Sequence, residues 1–220
     1  SVPLGKRGTK VVAADFSQGM LDQMQAILDA EDIRTVFPKR MSWSDDWPAH
    51  GVRPGMVDVA LASRSVATAD LRDSLLRLTD VARRRACVTL ATGSSPRTDE
   101  RILNAIGLSS VLGRDHLYAF NILANEGLRP EVAYIDSERT DTFDSLDDAF
   151  GVFTRMVDDA TAAFIGAEER AAAIARLRTW LEENLVANER AGLPDKKGLP
   201  EKPLRLREPR TVTWAFIAWN

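Results

Sequence analysis

The sequence predicts an α/β fold in which a mostly parallel sheet is flanked by helices. From residue 11 to about residue 90, short apolar runs typical of buried parallel strands alternate with segments of helical periodicity. The last run, TVTWAFIAW at residues 211–219, is strongly strand-like. Parallel strands in this rhythm are joined by right-handed crossovers.

The elements follow one another with clear local patterns. Asp70 is the expected cap of an amphipathic helix marked by apolar residues at helical spacing. The Gly- and Pro-rich residues 191–203 predict a loop. Strands are predicted at residues 11–14, 33–37, 56–63, 86–90, 132–135 and 211–219, and helices at residues 17–30, 71–81, 100–106, 115–127, 146–157 and 167–189.

Bulk composition limits the possible functions. With 220 residues and 45% hydrophobic content the chain can bury one full core, and we expect a single domain over residues 1–220. A net charge of -3 argues against a nucleic-acid partner. The single cysteine, Cys87, excludes a disulfide within the chain, so the expected location is cytoplasmic, and its apolar surroundings indicate a small core residue. No apolar run approaches the roughly 18 residues of a membrane span.

Asp15 stands at the end of the first apolar run, VVAAD. In open α/β sheets ligands bind outside the carboxyl ends of the strands, and an acid there can accept both hydroxyls of a ribose. The alternative is that Asp15 is the N-cap of the helix that follows.

The residues around Asp15 carry a family resemblance. VVAADFSQGML resembles the second-strand motif of class I S-adenosylmethionine-dependent methyltransferases, in which a hydrophobic strand, an acid and a short turn precede Met-Leu on a helix. The resemblance implies a Rossmann-like methyltransferase sheet whose antiparallel last strand inserts beside the fifth. It also implies a cofactor site that includes Asp15, Phe16, Ser17 and Met20, with the ribose on Asp15 and the adenine between Phe16 and Met20.

The family's GxGxG loop is not found in residues 1–220. Such a loop lies about 20 residues before the ribose-binding acid, and counting back from Asp15 passes Ser1. Residues 1–8 read as the end of a helix with Gly8 as its C-cap. We therefore expect the sequence to begin inside a domain, after its first strand, which would leave two interior sheet edges unpaired.

Two adjacent acids follow the third strand of the resembled fold, in the segment SDDW. In that fold an acid at this place accepts the adenine amino group, so Asp45 or Asp46 is a candidate and Trp47 would cover the base. The alternative is a solvated turn in which the aspartates accept local backbone hydrogen bonds.

Ser63 and Arg64 directly follow the next strand, where methyl donor and acceptor meet in the resembled fold. Their segment, ASRS, differs from the amino-methyltransferase signature NPPY. Arg64 could bind a carboxylate or phosphate of a substrate, or the carboxylate of the cofactor's methionine part. A structural salt bridge is the alternative. Helices within residues 96–200 would wall a substrate pocket or serve packing alone.

No catalytic residue and no metal site are assigned. His50 and His116 lack partners at metal-ligand spacing. His116 is a candidate general base, and the alternative is an ordinary surface or core histidine. The run Arg83-Arg84-Arg85 is expected to close a helix, where cations complement the dipole.

The resemblance therefore implies an enzyme that transfers a methyl group from S-adenosylmethionine to a small-molecule acceptor. From composition we expect neither a nucleic-acid nor a membrane partner, and a homo-oligomer is compatible with the sequence. Methyl transfer depends mainly on holding donor and acceptor in position, which fits the lack of an evident acid–base pair. The alternatives are a catalytically inactive methyltransferase-like binding or partner subunit and a nicotinamide-dependent Rossmann enzyme, since both cofactor classes use an acid after the second strand.

Overall fold

The structure is a computed structural model that describes residues 1–66, 68–93, 97–109, 113–161, 163–195 and 198–220. The helices are α1 (Val2–Gly5), α2 (Gln18–Ala30), α3 (Leu71–Val81), α4 (Glu100–Ala105), α5 (Asp115–Asn125), α6 (Leu146–Thr161) and α7 (Ala167–Asn184). The strands are β1 (Val11–Asp15), β2 (Val36–Arg40), β3 (Val57–Ser63), β4 (Ala82–Ala91), β5 (Glu131–Arg139), β6 (Thr142–Phe143), β7 (Leu185–Ala187), β8 (Leu204–Leu206) and β9 (Arg210–Trp219). None of the described helices is long and apolar enough to cross a membrane.

The chain divides into two compact units. The first consists of Ser1–Ala60 with Ala67–Ala86, and the second consists of Leu61–Val66 with Cys87–Asn220. Cys87 is a free, buried core residue of the second unit, as expected.

Strand β1 anchors the first unit. It pairs in parallel with β2, with Val11 opposite Val36 and Asp15 opposite Arg40. Helix α2 covers this pair, because its buried Leu28 packs with Ala13 and Val36. The predicted strand and the predicted helix are confirmed, and together they place Asp15 at the carboxyl end of β1.

Strand β2 lies about three residues later than the sequence pattern indicates and includes Pro38. Within the described residues β2 has β1 as its only strand neighbour, so it is an edge strand. A proline is tolerated there because its missing N–H is not needed by a second neighbour.

The larger sheet has the order β3-β4-β9-β5. The last strand, β9, therefore lies between β4 and β5. Strand β4 counts as the fifth strand of the resembled fold, and β9 runs antiparallel to β5. This confirms the expected α/β fold with a mixed sheet. Strands β1 and β3 each have a strand neighbour on one side only among the described residues.

Three local predictions are wrong. The arginines Arg83, Arg84 and Arg85 lie in β4 and do not close a helix, since α3 ends at Val81 and Arg83 Nη2 donates to Asp58 Oδ1 at 2.7 Å. Helix α7 ends at Asn184 rather than near residue 189. The C-cap of α1 is Lys6, whereas Gly8 follows in a turn with φ of 80°.

A third sheet, with three strands in the order β6-β8-β7, was not expected from the sequence. It borders the helical core of the second unit, which is built from α4, α6 and α7. The fully buried residues of that core include Ile102, Leu103, Val157, Leu177 and Leu181.

Candidate ligand-binding site

Asp15 presents its carboxylate at the turn between β1 and α2. Oδ1 accepts the backbone N–H of Ser17 at 2.8 Å, and no described residue donates to Oδ2. The N-cap of α2 is Ser17, whose Oγ accepts the N–H of Met20 at 3.4 Å, so the alternative that Asp15 caps the helix is wrong. The Ser17 bond fixes the carboxylate while its second oxygen stays available as an acceptor.

Two apolar side chains next to Asp15 are open to solvent. Phe16 is 73% exposed and Met20 is 55% exposed. An exposed phenylalanine beside an available carboxylate is an arrangement that a nucleoside can use, because its sugar hydroxyls need an acceptor and its base needs an apolar face.

The turn after β2 reaches Asp15 through the backbone. The N–H of Met41 donates to the carbonyl of Asp15 at 3.0 Å, and the next residue, Ser42, opens the segment that contains Asp45, Asp46 and Trp47. The first unit therefore holds the two predicted halves of the adenosine site at the ends of neighbouring strands.

The two aspartates of this turn make local backbone contacts. Asp45 Oδ2 accepts the N–H of Ser42 at 2.8 Å and lies 3.6 Å from His50 Nε2. Asp46 Oδ1 lies 3.5 Å from the N–H of Ala49. These are the contacts expected of a solvated turn, and contact with an adenine amino group stays a prediction.

Trp47 is held in place from two sides. Its indole Nε1 donates to the carbonyl of Ser42 at 3.1 Å, and its ring lies 5.4 Å from that of Trp43. The Arg77 guanidinium lies 5.7 Å from the Trp47 ring centroid and donates to the carbonyl of Asp45 at 2.9 Å. The sequence offered no signal for Arg77, because it lies on α3, about 30 residues away from this turn.

Ser63 and Arg64 belong to the second unit, at the carboxyl end of β3. The N–H of Arg64 donates to Thr89 Oγ1 at 2.9 Å, and that hydroxyl donates to Ser63 Oγ at 3.2 Å. The Arg64 guanidinium carbon lies 4.3 Å from the centroid of the Trp214 ring. Thr89 and Trp214 were not singled out from the sequence, since they lie on separate strands, β4 and β9.

His116 is a buried residue of α5 whose ring meets that of Tyr134 edge to face, with centroids 6.4 Å apart. Its Nδ1 has no hydrogen-bond partner among the described residues. His50 is exposed beside Asp45. His50 lies close to Asp45, one of the candidate residues. No catalytic role is assigned to either histidine on its contacts.

Comparisons with known proteins give low similarity. No family model matches the chain. An uncharacterised protein of Haemophilus influenzae is 30% identical over 138 residues, which are 63% of this chain and 50% of that protein. The chain thus spans about half the length of the curated relative it matches.

Several solved structures are similar in fold. Geranyl diphosphate C-methyltransferase from Streptomyces coelicolor A3(2) is 14% identical, with a TM-score of 0.47 over 100% of this chain and 68% of its own. The YcgJ protein of Bacillus subtilis is 9% identical, with a TM-score of 0.49 over 94% of this chain and 80% of its own. The [4+2]-cyclase SpnF is 10% identical, with a TM-score of 0.49 over 100% of this chain and 70% of its own. Similarity at this level gives no activity for the present chain.

Proposed function

We propose that the chain belongs to the class I methyltransferases, binds S-adenosylmethionine and serves methyl transfer to a small-molecule acceptor. The observation that carries the proposal is the pairing of an available carboxylate oxygen, Asp15 Oδ2, with the exposed ring of Phe16 at the carboxyl end of a strand. This is the place where open α/β sheets bind their ligands.

The residues present fit the adenosine part of this cofactor. Asp15 supplies the acceptor for the ribose hydroxyls, and Phe16 and Met20 supply apolar surface for the adenine. Asp45 Oδ1 has no described donor, so it remains available to the adenine amino group. Trp47, fixed by Ser42 and Arg77, offers a rigid aromatic surface in the same unit.

The bound cofactor would supply a methyl group on a positively charged sulfur. The task of the protein is then to hold donor and acceptor in near-attack geometry and to exclude water, rather than to move protons between paired acids and bases.

The test is a calorimetric titration of S-adenosylhomocysteine into the purified full-length protein. We expect binding in the micromolar range and at least a roughly tenfold loss in Asp15→Asn, which keeps the Oδ1 acceptor for Ser17 but removes the charge. Asp29→Asn, at an exposed acid of α2 whose Oδ1 accepts from Gln25 Nε2, is the matched control and should bind as the wild type does.

Two outcomes would overturn the proposal. One is failure of the folded wild-type protein to bind S-adenosylhomocysteine. The other is equal binding by Asp15→Asn and wild type. A parallel titration with NADH separates the nicotinamide alternative, which predicts that NADH binds and that S-adenosylhomocysteine does not.

A further inference from the structure

Arg64 adopts an unusual backbone conformation. Its φ of 57° lies in the left-handed region, which only two described non-glycine residues occupy. The conformation is held by Thr89, a buried residue of β4 whose hydroxyl accepts the Arg64 N–H and donates to Ser63. A long side chain in this region is strained, and such strain persists where the surrounding structure enforces it, most often at functional sites.

The side chain of Arg64 is also held in place. Its guanidinium lies over the indole of Trp214, which is only 7% exposed and thus fixed in the core of the second unit. Stacking of a guanidinium on an aromatic face uses the flat surface of the group and leaves its N–H edge free to donate.

That edge has no partner among the residues that the structure describes. Among the described residues, no carboxylate lies within ion-pair distance of Arg64 and no acceptor takes a hydrogen bond from its guanidinium, although the residue is exposed. The structural salt bridge considered as an alternative is therefore not found in the described part of the chain. A preorganised cation with a free donor edge matches the bidentate geometry of a carboxylate or a phosphate.

We propose that Arg64 binds the carboxylate or phosphate group of a small anionic ligand other than the cofactor. This anion site is built within the second unit and does not depend on the proposed function. Thr89 and Trp214 act as positioning residues, one through the backbone of Arg64 and the other through its side chain.

The experiment titrates inorganic pyrophosphate and malonate, as phosphate and carboxylate probes, into wild type, Arg64→Gln and Arg129→Gln. Arg129 is an exposed arginine of the same unit, so its variant matches the change in net charge. We expect the wild type to bind at least one probe, Arg64→Gln to bind it about tenfold or more weakly, and Arg129→Gln to bind it unchanged. Equal binding by Arg64→Gln and wild type, or no binding of either probe to the wild type, would overturn the proposal.

A second pair of titrations identifies the source of the anion. S-adenosylhomocysteine carries the methionine-derived carboxylate, and 5′-methylthioadenosine lacks it. If Arg64 binds a ligand other than the cofactor, Arg64→Gln binds both compounds as the wild type does. If Arg64→Gln weakens S-adenosylhomocysteine alone, the anion on Arg64 is the carboxylate of that compound, and the assignment of a separate anionic ligand is wrong. Probe binding without any binding of S-adenosylhomocysteine would overturn the proposed methyl transfer and leave the anion site standing.

Discussion

The guanidinium of Arg64 lies 4.3 Å from the centroid of the buried Trp214 ring while the Arg64 backbone is left-handed, with φ of 57°. The side chain thus gains a stacking contact where its backbone is strained. The two effects can be separated by substitution, because glycine relieves the strain and alanine does not.

We expect Arg64→Gly to be more stable than Arg64→Ala by about 1 kcal/mol, since a left-handed conformation costs a residue with a Cβ roughly that much. Both variants should lose binding of the anion probes. The measurement is the free energy of unfolding from urea denaturation. The same pair of substitutions at Arg72, within α3, should reverse the order, because alanine is favoured over glycine in a helix by about 1 kcal/mol. Equal stability of the two Arg64 variants would contradict the strain.

Phe16 should matter for binding and not for folding. Its side chain is 73% exposed, so Phe16→Ser is expected to change the free energy of unfolding by less than about 0.5 kcal/mol. Loss of the aromatic surface should weaken S-adenosylhomocysteine roughly tenfold in a calorimetric titration. Phe164→Ser, at a ring that is 54% exposed in the second unit, is the control and should leave this affinity unchanged. A large loss of stability in Phe16→Ser would show that the ring packs within the protein.

Elements with a continuous local pattern could be predicted from the sequence. The apolar run before Asp15 and the cap at Asp70 give β1 and α3 with little ambiguity, because burial and capping act within a few residues. The start of β4 could not be predicted in this way. After Ala82 it carries the exposed Arg83 and Arg84, which resemble the end of a helix until Arg83 is known to donate a hydrogen bond to Asp58 on β3.

The same distinction between local patterns and contacts of distant segments applies to the candidate residues. The positions of Asp15 and Arg64 follow from strand ends, which the sequence shows. The contacts of Arg64 with Thr89 and Trp214 join three distant segments, and no local pattern predicts them. The short strand β7 was missed for the same reason, since its partner β8 lies beyond a long loop.

Gly5 illustrates a packing requirement that the sequence does not reveal. It is a buried residue of α1, and a Cβ at this position would collide with Val36 Cγ2 and lie 2.9 Å from Ile33 Cγ2. We expect Gly5→Ala to destabilise the protein by about 1–3 kcal/mol, the usual cost of overpacking. The control is Gly151→Ala in α6, where the nearest atom to the new Cβ would be Arg155 Nη1 at 3.9 Å, and helix propensity should stabilise it slightly. Thermal melting of both variants checks the difference, and equal melting temperatures would contradict the close packing of α1.

Asp99, at the start of α4, lies close to the guanidinium groups of two arginines, Arg101 and Arg210. The Arg101 guanidinium donates to both of its carboxylate oxygens, at 3.1 and 2.8 Å, and these bonds raise the pKa of Arg101. Arg210 Nε lies 3.9 Å from Asp99 Oδ2 and 3.4 Å from Asp141 Oδ2, and burial lowers the pKa of Arg210. Asp99 itself is only 2% exposed, so its charge cannot be replaced by solvent.

We expect Asp99→Asn to destabilise the protein by about 3 kcal/mol, because it leaves buried positive charge with one carboxylate fewer. Asparagine is as good an N-cap as aspartate, so the capping bond to the N–H of Arg101 is retained. The decrease in the free energy of unfolding then reports on the missing charge of the Asp99 carboxylate. Asp158→Asn breaks a comparable pair with Arg170 at the surface, where the cost should stay below about 1 kcal/mol. Urea denaturation of the two variants measures both values. A loss in Asp99→Asn no larger than in Asp158→Asn would contradict a stabilising role of the Asp99 charge.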